Sequence, residues 1–483
     1  MNRIGLDVGT SMVKAVRFDA SGSTVDVAAE PTVVHRPAPG RSEQDMEQVW
    51  AACVRVLRAV VGRSSEPVDL LALTGQGDGT WLVDGAGRPV GPALLWNDGR
   101  SAGQLAQWQR SGLLDEAFGV SGCSGAPGLA NAQLHWLRAH EPDRLAAART
   151  LLSCGSWVYQ RLTGRRVVEG SEAANPFGSA RSGDYAPELL SLFGLAELAR
   201  LLPDVVTGSD CVSGLTREAA EAVGLPADTP VVLAPYDVVA TATGAGVVAP
   251  GDGLAILGTT LCVGRVADDP LLDREPNGMT LPTGEQGSWL LAYATLSGTE
   301  VLDWVAGILG LPGAAAVAEL AASAPPTDVP LMLPYLSPAG ERSPFLDGRV
   351  RGGLLGLSTG HDRAAIARAA VEGTTLVVRD CLEAAGGAAR LTVSGGGSRS
   401  PFWCQSISDA TGVPVVVTDS SEVGALGAVL HGSVAVGAVP SLAEAARQGV
   451  TVTRCFMPDG EQHARLAAAY RRLVELRPLT IVP

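Results

Sequence analysis

The chain has 483 residues, of which 46% are hydrophobic and 18% are charged, and its formal net charge is −14. A chain of this length usually forms two domains of roughly 200 residues each, and the composition excludes an intrinsically disordered protein. The negative charge argues against a nucleic acid or an anionic membrane as a partner, so a bound phosphate would need a local site.

The cysteines and the start of the chain indicate the compartment. Eight cysteines are scattered without a C-x-x-C pair or a tight Cys/His cluster, which fits neither a disulfide framework nor a zinc site. No basic stretch followed by an apolar segment opens the chain, and no apolar window is long enough to span a bilayer. We therefore expect a cytoplasmic protein with free thiols.

The first half of the chain is predicted to alternate strands and helices. Apolar runs bounded by Gly-rich turns predict strands at 3–8, 12–18, 24–29 and 230–235, and three more within 68–98. Apolar residues at helical spacing predict helices at 45–62, 100–112, 129–140, 154–163, 186–200, 214–224 and 238–246.

The pattern of elements at the start of the chain recurs after residue 250. GDGLAILGTTLCVGRV (251–266) repeats the strand–turn–strand pattern of the N-terminus, with the glycine and hydroxyl residues kept and the carboxylate lost. Further strands are predicted at 391–397 and 414–418, and helices at 361–386, from 401, at 423–436 and at 460–475. We place a domain boundary near residue 247, which gives domains 1–247 and 248–483.

The first turn carries polar residues that could bind an oxyanion. Backbone N–H groups of a hairpin that has Gly9 at its tip can point at one anion, and Thr10 and Ser11 add hydroxyl donors. Lys14 is the only lysine in the chain, and Asp7 could hold Mg²⁺ through water. The alternative is an ordinary hairpin with a solvated lysine. Recurrence of the plan at 258–260 favours a pair of phosphate-binding turns.

A triple glycine at 395–397 follows a predicted strand and precedes a helix with Ser400 as N-cap and Pro401 at its first position. Three residues without side chains let a flat ligand such as adenine or ribose approach the backbone closely. A tight strand-to-helix turn is the alternative explanation.

The stretch TGQGDGTW (74–81) has GxGxxG-like spacing, but it joins two strands and no helix follows, so a dinucleotide fingerprint is rejected. Its polar and aromatic side chains could instead line a pocket for a hydroxyl-rich ligand, together with residues after the next strand. This candidate substrate set is Gln76, Asp78, Trp81, Asn97 and Asp98. Polar residues that simply form turns are the alternative.

Asp237 follows a buried strand and precedes a helix, close to the predicted boundary. An N-cap is the structural alternative, because Asp is favoured at that position. The functional hypothesis is a general base that orients and deprotonates a substrate hydroxyl as it attacks a γ-phosphoryl group.

The order of these motifs along nearly the whole chain resembles the FGGY family of carbohydrate kinases. The resemblance rests on DVGTSMVKAVRFD, LTGQGDGTWLVD, ALLWNDGRS, APYDVVATATGAG, LGTT, GGGSRSPFWCQSISDATGVPV and EVGALGAVLHG. It implies an α/β fold of two ribonuclease-H-like domains, as in the actin/hexokinase/Hsp70 ATPase superfamily, with a cleft between the domains.

The resemblance also implies roles for the candidate residues. Asp237 would be the catalytic base and would join Asp7 at Mg²⁺, while Gln76, Asp78 and Asp98 would lie in the sugar pocket. ATP would be bound by the two turns, by the lysine and by the triple glycine: Gly9, Thr10, Ser11, Lys14, Gly258, Thr259, Thr260, Gly395, Gly396 and Gly397.

The expected reaction is therefore transfer of the γ-phosphoryl group of ATP to a terminal hydroxyl of a linear polyol or ketose of about four or five carbons. Gly77-Asp78 stands where xylulokinases usually carry Met-His, and APYD replaces a Gly-rich segment before the base. These two stretches resemble the erythritol kinase and L-xylulose kinase branches more closely. Alternatives are an actin- or Hsp70-type ATPase without a sugar substrate, and a glycerol or ribulose kinase. A homodimer is compatible with the sequence.

Overall fold

The computed structural model describes residues 2–481 as two compact units, each built from several segments of the chain. The first unit contains the chain up to Val248 together with Asp268–Leu290 and Glu422–Val450. The second contains Ala249–Ala267, Leu291–Ser421 and the chain from Thr451 onward. Packing thus does not follow the two continuous halves expected from the sequence, and the functional boundary near residue 247 stays a prediction.

The strands are β1 (Arg3–Val8), β2 (Met12–Phe18), β3 (Thr24–Pro31), β4 (Glu43–Gln44), β5 (Leu70–Gly75), β6 (Trp81–Val83), β7 (Ala93–Leu94), β8 (Thr150–Leu152), β9 (Val167–Glu169), β10 (Asp204–Val206), β11 (Val212–Gly214), β12 (Pro230–Leu233), β13 (Asp252–Leu257), β14 (Leu261–Ala267), β15 (Met279–Pro282), β16 (Trp289–Ala294), β17 (Leu331–Leu333), β18 (Gly353–Leu355), β19 (Arg390–Ser394), β20 (Val415–Thr418) and β21 (Val452–Phe456).

The α-helices are α1 (Met46–Gly62), α2 (Ala102–Arg110), α3 (Leu113–Ser121), α4 (Ala130–His140), α5 (Pro142–Ala147), α6 (Cys154–Thr163), α7 (Gly170–Phe177), α8 (Pro187–Leu192), α9 (Arg217–Val223), α10 (Asp237–Gly244), α11 (Thr299–Leu309), α12 (Ala314–Ser323), α13 (Arg363–Ala384), α14 (Pro401–Thr411), α15 (Val423–Ala435), α16 (Leu442–Gly449) and α17 (Gly460–Leu476).

The main sheet of the first unit has the strand order β11-β12-β5-β1-β2-β3 within the described residues. β1 pairs antiparallel with β2 and parallel with β5, so both of its edges are occupied and its apolar side chains are buried. Buried strands of this kind read as nearly continuous apolar runs, which is why the sequence predicted them well.

Helices α10 and α15 pack unusually closely in the first unit, because glycines lie at their contact. A Cβ atom on Gly427 would lie 1.7 Å from the carbonyl oxygen of Ala240, and one on Gly244 would lie 1.9 Å from that of Val423. The EVGALG motif therefore has a packing role: it brings the start of α15 close to the helix that carries Asp237.

The second unit repeats the arrangement around its own sheet, whose strands follow the order β16-β14-β13-β19-β20-β21. β13 pairs antiparallel with β14 and parallel with β19, as β1 does with β2 and β5. The internal repeat that the sequence predicted is confirmed at the level of strand pairing.

One predicted helix proved to be two elements. The sequence predicted a single helix over 186–200, but α8 ends at Leu192 and a separate 3₁₀-helix spans Ala196–Leu201. Gly194 between them has φ +66°, a left-handed conformation that ends a helix. Among residues 2–481, no single helix has the length and apolar character to cross a membrane; α11 and α12 satisfy that test only as a pair bent by 76°.

Candidate active site

Asp7 and Lys14 lie directly opposite each other on β1 and β2 of the first unit. Directly paired residues of antiparallel strands project from the same face of the sheet, so the two side chains share one face. The ammonium of Lys14 forms an ion pair with Glu422, with 2.7 Å between Nζ and Oε2. Burial raises the pKa of Asp7 to about 6, although the charge of Lys14 opposes that shift; Glu422 adds to it.

The tip of the first turn presents free main-chain donors. The N–H of Gly9 donates to the carbonyl of Met12 at 3.0 Å, which closes the turn. Within residues 2–481 the main-chain N–H groups of Thr10 and Ser11 have no protein acceptor. Successive unpaired N–H groups at a turn form a site for an anion.

The hydrogen bonds of the Thr10 side chain hold this tip in place. Its hydroxyl donates to Oε1 of Gln76 at 2.7 Å and accepts the indole N–H of Trp96 at 2.9 Å. Gln44 donates to the Thr10 carbonyl and accepts from the Gln76 amide. The groups of this turn that remain available for phosphate are therefore its N–H donors and the hydroxyl of the exposed Ser11. Gln76, only 2% exposed, positions the turn.

Asp237 is the first residue of α10, and Tyr236 occupies the N-cap position without a side-chain capping bond. The alternative prediction of Asp237 as N-cap is thus wrong, because the helix starts at Asp237 itself, one residue earlier than such a cap requires. Burial, then the charges of Asp7 and Asp78, raise the pKa of Asp237 to about 8. Its carboxylate is therefore a base whose strength is increased by its surroundings.

Asp78 is held in a left-handed conformation, with φ +57°, in the loop after β5. Its two carboxylate oxygens accept from Nδ2 of Asn175 at 2.9 Å and from the hydroxyl of Tyr236 at 3.3 Å. The Tyr236 ring lies against Gly77, where an added Cβ would come within 1.9 Å of it. Burial and the charge of Asp78 raise the pKa of nearby Glu172 well above its usual range.

Two other candidate substrate residues have different roles from the expected one. Trp81 is 1% exposed and packs in the core against Trp157, with 5.9 Å between ring centroids. Asp98 is fully buried and accepts from the N–H of Ser42 at 2.7 Å and from Nε of Arg100 at 2.8 Å. Asn97 is exposed. The structure therefore favours packing and positioning roles for Trp81 and Asp98 over contact with a substrate.

The second unit presents its own turn between β13 and β14. The carbonyl of Gly258 accepts the N–H of Thr299 at 2.9 Å, and that of Thr259 accepts the N–H of Glu300 at 3.3 Å. In the described chain, the N–H groups of Gly258, Thr259 and Thr260 have no protein acceptor. Like the first turn, this one offers N–H donors at its tip while its carbonyls are held by protein.

The three glycines after β19 are not equivalent. Gly395 has φ +83°, and a Cβ there would lie 2.7 Å from the carbonyl oxygen of Leu257; a Cβ on Gly397 would lie 2.7 Å from the Leu257 side chain. A Cβ on Gly396 would meet nothing within 4 Å. The fold therefore requires two of the glycines, and Gly396 is the position at which a ligand could account for the missing side chain.

The acids of the first unit do not form a ready-made metal centre. Among residues 2–481, no group of three or more His, Cys, Asp or Glu side chains is placed to hold a metal ion. Burial is the main cause of the raised pKa values of Asp7 and Asp237, and neighbouring acids add to it. Two such carboxylates in one unit suit Mg²⁺ that keeps several of its waters.

Models of one known family match most of the chain. The model of the N-terminal domain of the FGGY family of carbohydrate kinases matches residues 3–244, and that of the C-terminal domain matches residues 253–436. The chain belongs to the FGGY family. It is therefore a sugar kinase with the two-domain α/β fold of the actin/hexokinase/Hsp70 ATPase-like superfamily, and sugar kinases of this family use ATP.

Relatives match over nearly the full chain. An erythritol kinase from Brucella abortus (strain 2308) is 33% identical, covering 97% of this chain and 95% of the relative. A xylulose kinase from Escherichia coli (strain K12) is 30% identical over 99% of both. The crystal structure of a xyloylose kinase from Brucella ovis is similar with a TM-score of 0.89, 30% identity and 99% coverage of both chains.

Sequence reasoning missed the residues around Asp78 and Lys14. Asn175 and Glu172 come from α7, which was not predicted, and Glu422 precedes α15, more than four hundred residues after its lysine partner. Sequence reasoning assigned no role to Tyr236. The sequence does contain a signal for its position, since a bulky residue before Asp237 and a glycine at 77 are complementary in volume.

Proposed function

We propose that this kinase transfers the γ-phosphoryl group of ATP to a terminal hydroxyl of a small linear polyol or ketose. The observation that carries the proposal is the Asp237 carboxylate, which burial and two neighbouring acids make more basic. It starts a helix in the same unit as a turn with unpaired N–H donors. A base and an anion-binding turn are two of the elements that phosphoryl transfer to an alcohol uses.

In this proposal Asp237 orients the acceptor hydroxyl and takes its proton as the oxygen attacks phosphorus. The N–H groups of the first turn bind phosphate oxygens, and Lys14 supplies the positive charge beside them. Asp7 and Asp237 would hold Mg²⁺, which neutralises charge on the phosphates when it is bound. In the second unit, the turn at 258–260 and the open position at Gly396 are the proposed nucleotide contacts.

Asp78, oriented by Asn175 and Tyr236, is the proposed ligand for the acceptor's hydroxyls, because a carboxylate accepts two vicinal hydroxyls well. The ring of Tyr236 takes the space above Gly77 that a side chain at this position would fill. A pocket filled in this way suits a short, unbranched acceptor. The 33% identity to an erythritol kinase supports placing four-carbon polyols ahead of five-carbon ketoses.

The test is coupled measurement of ADP release with erythritol, threitol, xylitol, D- and L-xylulose, ribulose and glycerol as acceptors, each against a control without acceptor. We expect release that depends on acceptor, with the highest kcat/KM for a tetritol. ATP turnover independent of any acceptor would favour an actin- or Hsp70-type ATPase. The highest kcat/KM for glycerol or ribulose would overturn the assignment of the acceptor but not that of the reaction.

A further inference from the structure

The first unit contains a cavity of about 270 Å³ that the proposed reaction does not use. It lies behind the segment that leads to Asp237, and its walls come from separate parts of the unit. Its polar lining includes Glu169 at the end of β9, His431 on α15 and Glu285 in the turn after β15. Apolar side chains, among them Val232, Leu233 and Val434, line the remainder.

His431 presents a hydrogen-bond acceptor to this cavity. The side chain is 8% exposed, and its Nε2 lies 2.9 Å from the hydroxyl of Thr243. That hydroxyl donates to the carbonyl of Val239, so it accepts from Nε2–H, and the Nδ1 atom of the neutral ring carries a lone pair. Within residues 2–481, Nδ1 has no hydrogen-bond partner. Burial lowers the pKa of His431 to about 3, which keeps the ring neutral.

The carboxylates at the cavity accept hydrogen bonds from neutral groups. Glu169 is 3% exposed and accepts from both the N–H and the hydroxyl of Ser171. Burial raises the pKa of Glu169 to about 7, and neutral donors alone oppose that shift. Glu285 at the rim accepts the N–H of Leu442 at 2.7 Å. The polar lining thus includes two acids and a ring acceptor, together with Gln286 and Ser441, and the acids suit a cation that donates hydrogen bonds.

The cavity is also connected to the base. Ser171, whose hydroxyl donates to Glu169, accepts the main-chain N–H of Tyr236 at 2.9 Å. Tyr236 immediately precedes Asp237 and bonds Asp78 through its hydroxyl. A ligand that draws the Glu169 carboxylate toward the cavity would therefore change the hydrogen bond that positions the residue before the base.

We propose that this cavity is an effector site for a small primary ammonium compound, which the Glu169 carboxylate and Nδ1 of His431 bind, and that its occupancy alters turnover through Ser171 and Tyr236. The cavity belongs to the first unit alone and is separate from the proposed acceptor ligands. The inference therefore does not depend on which sugar the enzyme phosphorylates.

Calorimetric titration with ethanolamine tests the site, with glycerol and inorganic phosphate as hydroxyl-only and anionic probes. Ala435→Phe fills the cavity, and Ala438→Phe makes the same change on an exposed residue outside it. His431→Leu removes the acceptor. We expect wild type and Ala438→Phe to bind ethanolamine, and Ala435→Phe and His431→Leu to bind it at least tenfold more weakly. Circular dichroism and thermal melts verify that each variant is folded.

The outcomes separate the two parts of the proposal. Lack of ethanolamine binding to wild type, or equal binding to Ala435→Phe, would overturn the site. Glycerol or phosphate binding that is as tight as that of ethanolamine, and that Ala435→Phe abolishes, would overturn the choice of a cation. Ethanolamine should also change kcat in wild type by twofold or more and leave kcat of Ala435→Phe unaffected; binding without that change would overturn the coupling to Asp237.

Discussion

The two units use the same strand–turn–strand scaffold with different chemistry. β1 and β2 join through four residues between the paired Val8 and Val13, whereas β13 and β14 join through three between Leu257 and Leu261. Both turns have unpaired N–H groups at the tip within the described chain, and both adjoin a parallel third strand that ends in a glycine-rich loop. The shared scaffold explains why both are candidates for binding phosphate.

Charge distinguishes the two turns. Asp7 and Lys14 flank the first, and the same unit contributes Glu422 and Asp237. At the position that corresponds to Asp7, the second turn has Ile256, and its tip is held by main-chain bonds to the start of α11. The second turn is thus neutral at this position, whereas acids and a lysine lie beside the first turn.

The largest expected effect concerns the base itself. Asp237→Asn should lower turnover by roughly 10²-fold or more while ATP affinity is kept, because the acceptor hydroxyl loses its proton acceptor. Steady-state ADP release and ATP titration measure the two quantities. The matched control is Asp252→Asn on β13, an acid paired with Arg390 near the start of the neutral hairpin, which should leave turnover nearly unchanged. Similar turnover in Asp237→Asn and wild type would remove the base from the mechanism.

The triple glycine offers a sharper comparison within the second unit. Gly395→Ala should lower the free energy of unfolding by about 1–3 kcal/mol, because its φ is positive and the added Cβ meets the Leu257 carbonyl. Gly396→Ala should change the free energy of unfolding by less than about 0.5 kcal/mol and weaken ADP binding instead. Denaturant melts and ADP titration separate these effects. If the two variants bind ADP as wild type does, the glycines serve packing alone.

The lysine tests the charged turn. Lys14→Met should lower kcat/KM for ATP by about tenfold, since the only ammonium beside this turn is lost. It should also raise the pKa of Asp7 further above about 6, so the acidic limb of the rate–pH profile should move to higher pH. Lys14→Arg keeps the charge and should recover most of both properties. A profile that does not move in Lys14→Met would contradict the coupling of Asp7 to the lysine.

The smallest expected effect is on stability. The folded-state pKa of Asp237, about 8, lies above its unfolded value. Between these two pKa values the folded state binds more protons than the unfolded state, so it loses stability as pH rises from about 4 to 8. Asp237→Asn removes this loss. Without ligands, its Tm should exceed that of wild type by about 2–5 °C at pH 8 and by little at pH 4. A Tm difference that is constant with pH would show that Asp237 does not ionise in this range.

Much of the fold was predictable because the main strands are buried on both faces and bounded by glycines. The paired hairpins, the helix capped by Ser400 and the segment from Pro230 into α10 follow from such local patterns. Short strands such as β9 and small helices such as α7 were missed, since their residues are buried by contacts with distant segments and show no periodicity of their own.

The candidate site was likewise predictable in part. Asp7, Lys14 and Asp237 were predicted as site residues because burying a charged residue in or beside an apolar strand costs free energy unless a partner or a ligand compensates for it. Gln76, Trp81 and Asp98 also matched a pattern, but whether a side chain meets solvent depends on partners elsewhere in the chain, namely Thr10, Trp157 and Ser42. Polar and aromatic residues at a turn therefore predict where a site lies. They do not predict which of these side chains remain free to contact a ligand.

The amino-acid sequence by itself determined the repeated hairpins, the acid at the start of α10 and the glycine-rich loops, because each depends on neighbours within a few residues along the chain. It also determined the family, through the order of these motifs along nearly the whole chain. Tertiary structure alone decided that Glu422 pairs with Lys14, that Tyr236 fills the space over Gly77, and that Asp7 and Asp78 raise the pKa of Asp237. Those effects come from burial and from charges brought together across long sequence separations. Local sequence patterns predict neither.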